Sequence, residues 1–114
     1  MEKNRYLGLL GIAAKAGKVV AGADACKEAI EKNKVKLLLV AGDASERTKR
    51  NFQMICERKK TPMVIIGEIE VLSKAIGKNN KAVIGIKDEN LFKEIYKIIN
   101  GGDASGKSKN TRNS

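Results

Sequence analysis

Apolar residues along the chain switch between helical spacing and short continuous runs. The first helix shows the helical spacing, with apolar residues at every third or fourth position before a glycine at residue 17: Tyr6, Leu9, Leu10 and Ala13. Continuous apolar runs predict strands at residues 18–21, 35–41, 63–66 and 82–86. Amphipathic stretches predict further helices, which begin near residues 22, 45, 68 and 88.

Polar side chains at the predicted helix starts indicate how those helices are capped. Asp24 is expected as the N-cap or a first-turn residue of the second helix, Ser45 as the cap of the third, and Asp88 as the cap of the last. The fourth helix, residues 68–76, is expected to turn its apolar side chains inward: Val71, Leu72, Ala75 and Ile76.

Helices that alternate with wholly apolar strands are typical of a sheet covered by helices on both faces. The 114 residues are enough for one such α/β domain, which we expect over residues 1–100. From Gly101 onward apolar residues almost vanish, and a segment of this composition buries too little apolar surface to offset its ordering entropy. Residues 101–114 are therefore predicted to form a disordered, weakly basic tail.

Charge and composition narrow the range of functions. Lys and Arg total 23 against 13 Asp and Glu, which gives a net charge of +10 and favours a polyanionic partner, most often nucleic acid. The chain contains no histidine, which excludes a histidine general base, a catalytic triad and a histidine-ligated zinc site within it. Two Tyr, two Phe and no Trp argue against a broad aromatic platform for single-stranded nucleic acid.

The cysteines and the short apolar runs indicate a reduced, intracellular environment. Cys26 and Cys56 stand 30 residues apart without a CxxC motif, so neither a zinc knuckle nor a disulfide framework is predicted. Cys26 lies near a helix N-terminus, which lowers a thiol pKa, but it shares the apolar face of Ala29 and Ile30, so a buried, inert thiol is favoured. Every apolar run is too short to span a bilayer, and the N-terminus does not resemble a secretion signal, so we expect a cytoplasmic protein that does not bind membranes.

Two acidic residues follow predicted strands, at the ends where α/β sheets usually place their sites. Asp43 and Asp88 could hold magnesium or accept a phosphoryl group there. Each also precedes a helix and serves equally well as a cap or turn residue, and no nucleophile and base accompany them. Capping is therefore the favoured interpretation, and we predict no catalytic residue, no metal and no cofactor.

Two basic segments that contain glycine are the best candidates for a binding site. The first brackets a strand and the following helix start, with Lys15, Gly17, Lys18, Gly22 and Lys27. The second is the loop Gly77, Lys78, Asn79, Asn80 and Lys81. Glycine lets a backbone approach a ligand closely, and a helix N-terminus offers free N–H groups to phosphates. At one edge of the molecule the segments would clamp a nucleic-acid backbone at two points; the alternative is a pair of ordinary solvated turns.

Four stretches of the chain together carry a family resemblance: LLGIAAKAGKVVAG at residues 9–22, VKLLLVAGDAS at 35–45, LSKAIGK at 72–78 and AVIGIKD at 82–88. Their order and spacing resemble the kink-turn RNA-binding family of ribosomal proteins, the L7Ae-like family, and within it the YlxQ-type bacterial members. Each stretch is a weak signal alone, and the combination is fairly specific.

The resemblance implies a three-layer α/β/α sandwich around a mixed sheet and a non-enzymatic, RNA-binding function in the ribosome or another ribonucleoprotein. Members of the family grip an RNA helix that bends sharply at a short bulge beside tandem sheared G·A pairs. By resemblance, the helix that starts at Gly22 enters the groove at those pairs. The turn at Ile76, Gly77 and Lys78 packs near the flipped-out nucleotides. The implied partner is structured RNA, either ribosomal RNA or another kink-turn RNA, bound by a monomer through shape and backbone contacts.

Three positions depart from the family's pattern. Many kink-turn binders carry Asn, Glu and Lys where this chain has Asp24, Ala25 and Glu28, and a carboxylate cannot donate to the acceptors on the major-groove edge of guanine. We therefore expect lysines to clamp the RNA backbone, and the alternative is a protein-interaction module that keeps the fold without RNA specificity. The predicted RNA-binding residues are Lys15, Gly17, Lys18, Gly22, Ala23, Asp24, Ala25, Lys27, Glu28, Ile76, Gly77, Lys78, Asn79 and Lys81.

Overall fold

The computed structural model describes residues 4–100, and the predicted tail at 101–114 lies outside this range. In chain order the elements are α1 (Arg5–Lys15), β1 (Val19–Ala21), α2 (Ala23–Glu31), β2 (Leu37–Val40), α3 (Glu46–Lys59), β3 (Met63–Ile65), α4 (Ile69–Ala75), β4 (Val83–Ile86) and α5 (Glu89–Ile99). Every predicted element is present, and each strand is shorter than the apolar run that predicted it. None of the helices within residues 4–100 combines the length and hydrophobicity needed to cross a bilayer.

The four strands form one mixed sheet in the order β1, β4, β2, β3. β4 runs antiparallel to both β1 and β2, whereas β2 and β3 are parallel. All residues of the two inner strands are buried, which explains why β2 and β4 show continuous apolar runs without alternation. Helices α2 and α3 pack together on one face, and α1 packs with α4 and α5 on the other. This confirms the predicted three-layer α/β/α sandwich.

The predicted caps explain where two of the helices begin. The Ser45 side chain accepts a hydrogen bond from the Thr48 N–H at 3.0 Å, which caps α3. The Asp88 carboxylate accepts one from the Leu91 N–H at 2.9 Å, which caps α5. Both predictions are confirmed, because a side-chain oxygen that meets a free N–H in the first turn depends only on local sequence.

The prediction for the inward face of α4 is wrong at one residue. Val71 is 41% exposed, whereas Leu72 and Ser73 are buried and Ile76 follows them inward. A helix as short as α4 buries one narrow stripe, and successive residues point about 100° apart. Ser73 occupies the inward position because its hydroxyl finds hydrogen-bond partners in the loop that follows the helix.

Candidate nucleic-acid interface

The corner between β1 and α2 depends on glycine. Gly22 has φ 97° and ψ 150°, a conformation that is essentially restricted to glycine. Its N–H donates to the carbonyl oxygen of Val83 at 2.9 Å, and its own carbonyl oxygen accepts from the N–H of Cys26 at 2.9 Å. The chain therefore passes from the edge strand directly into α2, with one residue serving both the sheet and the helix.

The N-terminus of α2 carries no side-chain cap, unlike those of α3 and α5. The N-cap is Gly22, and Asp24 lies in the first turn, as predicted. Residues 23–25 are exposed, and their backbone N–H groups lack acceptors within the helix. The positive end of the helix dipole is thus presented at the surface, where it attracts anions.

The loop between α4 and β4 brings a lysine to this corner. Gly77 (φ 72°) and Asn80 (φ 53°) adopt left-handed conformations that fold the loop back on itself. Lys81 ends the loop half-buried, and a β-carbon at Gly22 would lie only 3.7 Å from its Nζ atom. Of the two segments that the sequence predicted, the end of the second, Lys81, therefore lies beside the middle of the first, Gly22.

A groove of about 420 Å³ runs beside the exposed edge of the sheet at β1, and we call it the β1 groove. It is lined by Ala14, Val19, Val20, Ala21, Ile76, Lys78 and Lys81. Five of its seven lining residues have apolar side chains, and its two charged groups are the ammonium groups of Lys78 and Lys81. The two lysines allow the groove to accept a polyanion.

The structure separates Lys15, Gly17 and Lys18 from the corner at Gly22. The Lys18 carbonyl oxygen accepts from the Lys87 N–H at 2.8 Å, so Lys18 lies at the opposite end of β1. Four residue steps of extended chain separate Lys18 from Gly22, a distance of about 13 Å. These exposed residues flank the far end of the β1 groove and do not join the cluster at Gly22.

Lys27 faces a second groove, of about 570 Å³, between α2 and α3. The groove is lined by Ala23, Asp24, Lys27, Asn51, Phe52, Met54, Ile55 and Arg58. The contribution of α3 was not predicted, although Asn51 and Arg58 are seven residues apart and so share one helical face. Met54 is 68% exposed beside them. Ala21 lines the β1 groove and Ala23 lines this one, so Gly22 lies between the two grooves along the chain.

The acidic side chains that follow the first turn of α2 form ion pairs. Arg58 binds Glu31 at 2.5 Å, and this hydrogen bond holds the pKa of the Glu31 carboxyl below its usual value. Glu28 pairs with Lys32 at 3.1 Å, one turn along the same helix. The predicted site residue Glu28 is therefore directed toward the C-terminal part of α2.

The comparison with known protein families identifies the group to which this fold and site belong. Residues 5–96 match the model of the Ribosomal protein L7Ae/L30e/S12e/Gadd45 family. The chain belongs to this family. It is 29% identical over 99 residues to the RNA-binding protein YlxQ of Bacillus subtilis (strain 168), with 87% of this chain and 99% of that protein covered. It is 30% identical over 100 residues to the RNA-binding protein YlxQ of Enterococcus faecium, with 88% and 96% covered.

A solved structure from another bacterium shows the same fold. A protein of unknown function from Bacillus halodurans C superposes with a TM-score of 0.81 at 30% sequence identity, covering 84% of this chain and 97% of that chain. The family match and the two YlxQ relatives together support a YlxQ-type member of the L7Ae family that is not an enzyme. Both parts of the sequence prediction, the family and the absence of catalysis, are thereby confirmed.

The Cys26 thiol of this family member is inert. Cys26 is fully buried, and its Sγ atom lies 3.4 Å from the carbonyl oxygen of Val20 and 3.6 Å from that of Val83. Burial raises the pKa of the thiol to about 12. The helix N-terminus therefore does not produce a nucleophilic thiolate at neutral pH, in agreement with the favoured interpretation of the sequence.

The two candidate metal-binding aspartates cap helices. Asp88 caps α5, and the Asp43 carboxylate accepts a hydrogen bond from the Ile69 N–H at 2.8 Å, at the start of α4. Asp43 thus caps a helix 26 residues away instead of the helix that it directly precedes. Within residues 4–100, no group of three or more acidic or cysteine side chains is arranged to hold a metal ion.

Proposed function

We propose that this protein binds structured RNA and recognises a bent, kink-turn-like helix through its shape and its backbone. It would act as a cytoplasmic monomer within the ribosome or another ribonucleoprotein. The names of the two YlxQ relatives and of the family support RNA as the partner. The net charge of +10 supports a polyanion independently of any relative.

The observation that carries the proposal is the contact between Lys81 and the corner at Gly22. An ammonium group and the uncapped start of α2 both favour a negative charge at the same place. Neither Lys78 nor Lys81 forms an ion pair with another residue in the described range, 4–100. A phosphate that binds there gains a charge-assisted hydrogen bond from a lysine that has no ion pair within that range to break.

Recognition of shape follows from the residues at the first turn of α2. Asp24 and Ala25 offer the bases no side-chain donor, so the free backbone N–H groups are the donors available to the RNA at this turn. Gly22 has no side chain, which allows a phosphate or sugar to approach the main chain closely. Lys18 lies about 13 Å from Gly22 along β1 and, with Lys15 at the end of α1, would bind later phosphates of the same strand.

A mobility-shift comparison tests this function with three RNAs of equal length. One is a helix with a short bulge beside tandem G·A pairs, one is a straight duplex, and one is bent by mismatches. We expect the bulged helix to bind tightest, with affinity falling as salt rises at a log–log slope of about −0.7 to −0.9 per phosphate neutralised. Equal affinity for all three, or an affinity insensitive to salt, would contradict the proposal.

A second candidate function is a protein-interaction module on the same fold. The side chain of Met54 is exposed and lies beside Asp24 in the groove between α2 and α3. This favours the second function, because an exposed methionine and a carboxylate are better suited to contact a protein partner than a polyanionic one. Capture of a partner protein that survives nuclease treatment would support this function over RNA binding. Loss of all captured material with nuclease would exclude it.

A further inference from the structure

Among residues 4–100, Ser73 has the only buried polar side chain, with 2% of its surface exposed. It stands within α4, where a serine hydroxyl commonly bonds back to a carbonyl of the preceding turn. Here the hydroxyl instead bonds eight residues forward in the sequence, to the end of the loop that follows the helix. A buried polar group with a nonlocal partner fixes the position of that partner.

Two hydrogen bonds join the Ser73 hydroxyl to the backbone of Lys81. Its Oγ atom accepts from the Lys81 N–H at 2.7 Å and donates to the Lys81 carbonyl oxygen at 3.2 Å. The carbonyl oxygen of Ser73 also accepts from the N–H of Lys78 at 2.8 Å. One residue thus holds both lysines of the β1 groove through their main chains.

This arrangement fixes where the Lys81 side chain begins. Gly77 and Asn80 adopt left-handed conformations within the loop, which glycine adopts freely and asparagine more readily than most residues. The Lys81 side chain then extends from the anchored backbone until its Nζ atom lies 3.7 Å from where a β-carbon at Gly22 would stand. An alanine at residue 73 would leave the Lys81 N–H and carbonyl without these partners, and they would turn toward water.

We propose that Ser73 is a positioning residue for RNA binding, which holds the loop 77–81 so that the Lys81 ammonium group stands beside the uncapped start of α2. The proposal rests on the proposed function, because it assigns to Ser73 a role in placing a phosphate contact. Ser73 itself is buried and touches no RNA. Its effect is transmitted entirely through the backbone of the loop.

The test compares Ser73→Ala with Ser45→Ala in binding to the bulged RNA. Ser45→Ala removes the exposed hydroxyl that caps α3, so it is the same substitution of a hydrogen-bonded serine away from the β1 groove. We expect Ser73→Ala to weaken binding about tenfold and Ser45→Ala to leave it within about twofold. Thermal melting of both variants shows that the bound species is folded. Amide hydrogen exchange should accelerate at Lys81 in Ser73→Ala, while the amides of β2 remain protected.

A double-mutant cycle with Lys81→Gln separates positioning from a general loss of stability. If Ser73 acts through Lys81, removing the hydroxyl should cost little further affinity once the ammonium group is absent. Additive losses, or wild-type affinity in Ser73→Ala, would overturn this inference while the proposed function stands. Failure of the wild-type chain to prefer the bulged RNA would overturn the proposed function and this inference together.

Discussion

Replacing Gly22 by alanine tests whether the corner between β1 and α2 is built as described. The backbone at Gly22 has φ 97° and ψ 150°, which costs a residue with a β-carbon about 1–3 kcal/mol. Steric overlap adds little, since the nearest atoms to a new β-carbon are Nζ and Cδ of Lys81, at 3.7 and 3.8 Å. We therefore expect the free energy of unfolding to fall by about 2 kcal/mol, with a Tm lower by about 8–16 °C.

The matched control is the same substitution at Gly8, an exposed position in α1. No atom lies within 4 Å of a β-carbon there, and alanine is favoured over glycine inside a helix by about 0.5–1 kcal/mol. Gly8→Ala should therefore raise stability while Gly22→Ala lowers it. Urea unfolding followed by circular dichroism measures both. An unchanged or higher midpoint for Gly22→Ala would refute the backbone geometry that brings α2 against Lys81.

Three further predictions concern charge, packing and pH. Asp24→Asn should raise RNA affinity about threefold, which is the scale of one exposed charge interaction. Glu57→Gln, at the other edge of the sheet, should leave RNA affinity unchanged. A mobility-shift assay measures both affinities. Gly85→Ala should destabilise the fold by about 1–3 kcal/mol in urea unfolding, because the new β-carbon would lie 2.9 Å from Cγ1 of Val20. The Cys26 pKa is raised from 9.0 to about 12, so its contribution to stability is complete below pH 9 and is lost as the pH rises toward 12. Between pH 9 and pH 12, the urea midpoint should fall less steeply with pH in Cys26→Ala than in the wild type. Identical slopes in the two proteins would contradict the burial of the thiol.

Local features of the sequence predicted the elements and most of their ends. Ser45 and Asp88 cap the helices that they directly precede, because a cap acts within one turn. The run at 35–41 predicted a strand covered on both faces, because a central strand has no solvent face to carry polar residues. These features could be predicted since their causes lie within a few residues along the chain.

The composition of the candidate site depends on tertiary contacts that the sequence alone did not show. Lys18 is closer to Gly22 in sequence than Lys81 is, yet β1 separates them while the pairing of β1 with β4 brings Lys81 alongside. Val71 was predicted to face inward because it is apolar, and Ser73 takes that place because its partners lie in the next loop. Both outcomes depend on which segments meet after folding.

The most direct test of RNA binding at the β1 groove compares two lysines at opposite edges of the sheet. Lys81 lies in the β1 groove, and the exposed Lys60 lies beside β3, at the other edge of a sheet whose four strands span about 14 Å. Lys81→Gln and Lys60→Gln each remove one positive charge, so they alter the net charge of the protein equally.

Affinity for the bulged RNA, measured over a range of salt concentrations, gives the decisive comparison. We expect Lys81→Gln to weaken binding about tenfold and to reduce the salt slope by about 0.7–0.9, the value for one phosphate contact. Lys60→Gln should leave both quantities close to those of the wild type. Equal losses in the two variants would show that net charge alone drives binding, and would contradict a site at the corner of Gly22 and Lys81.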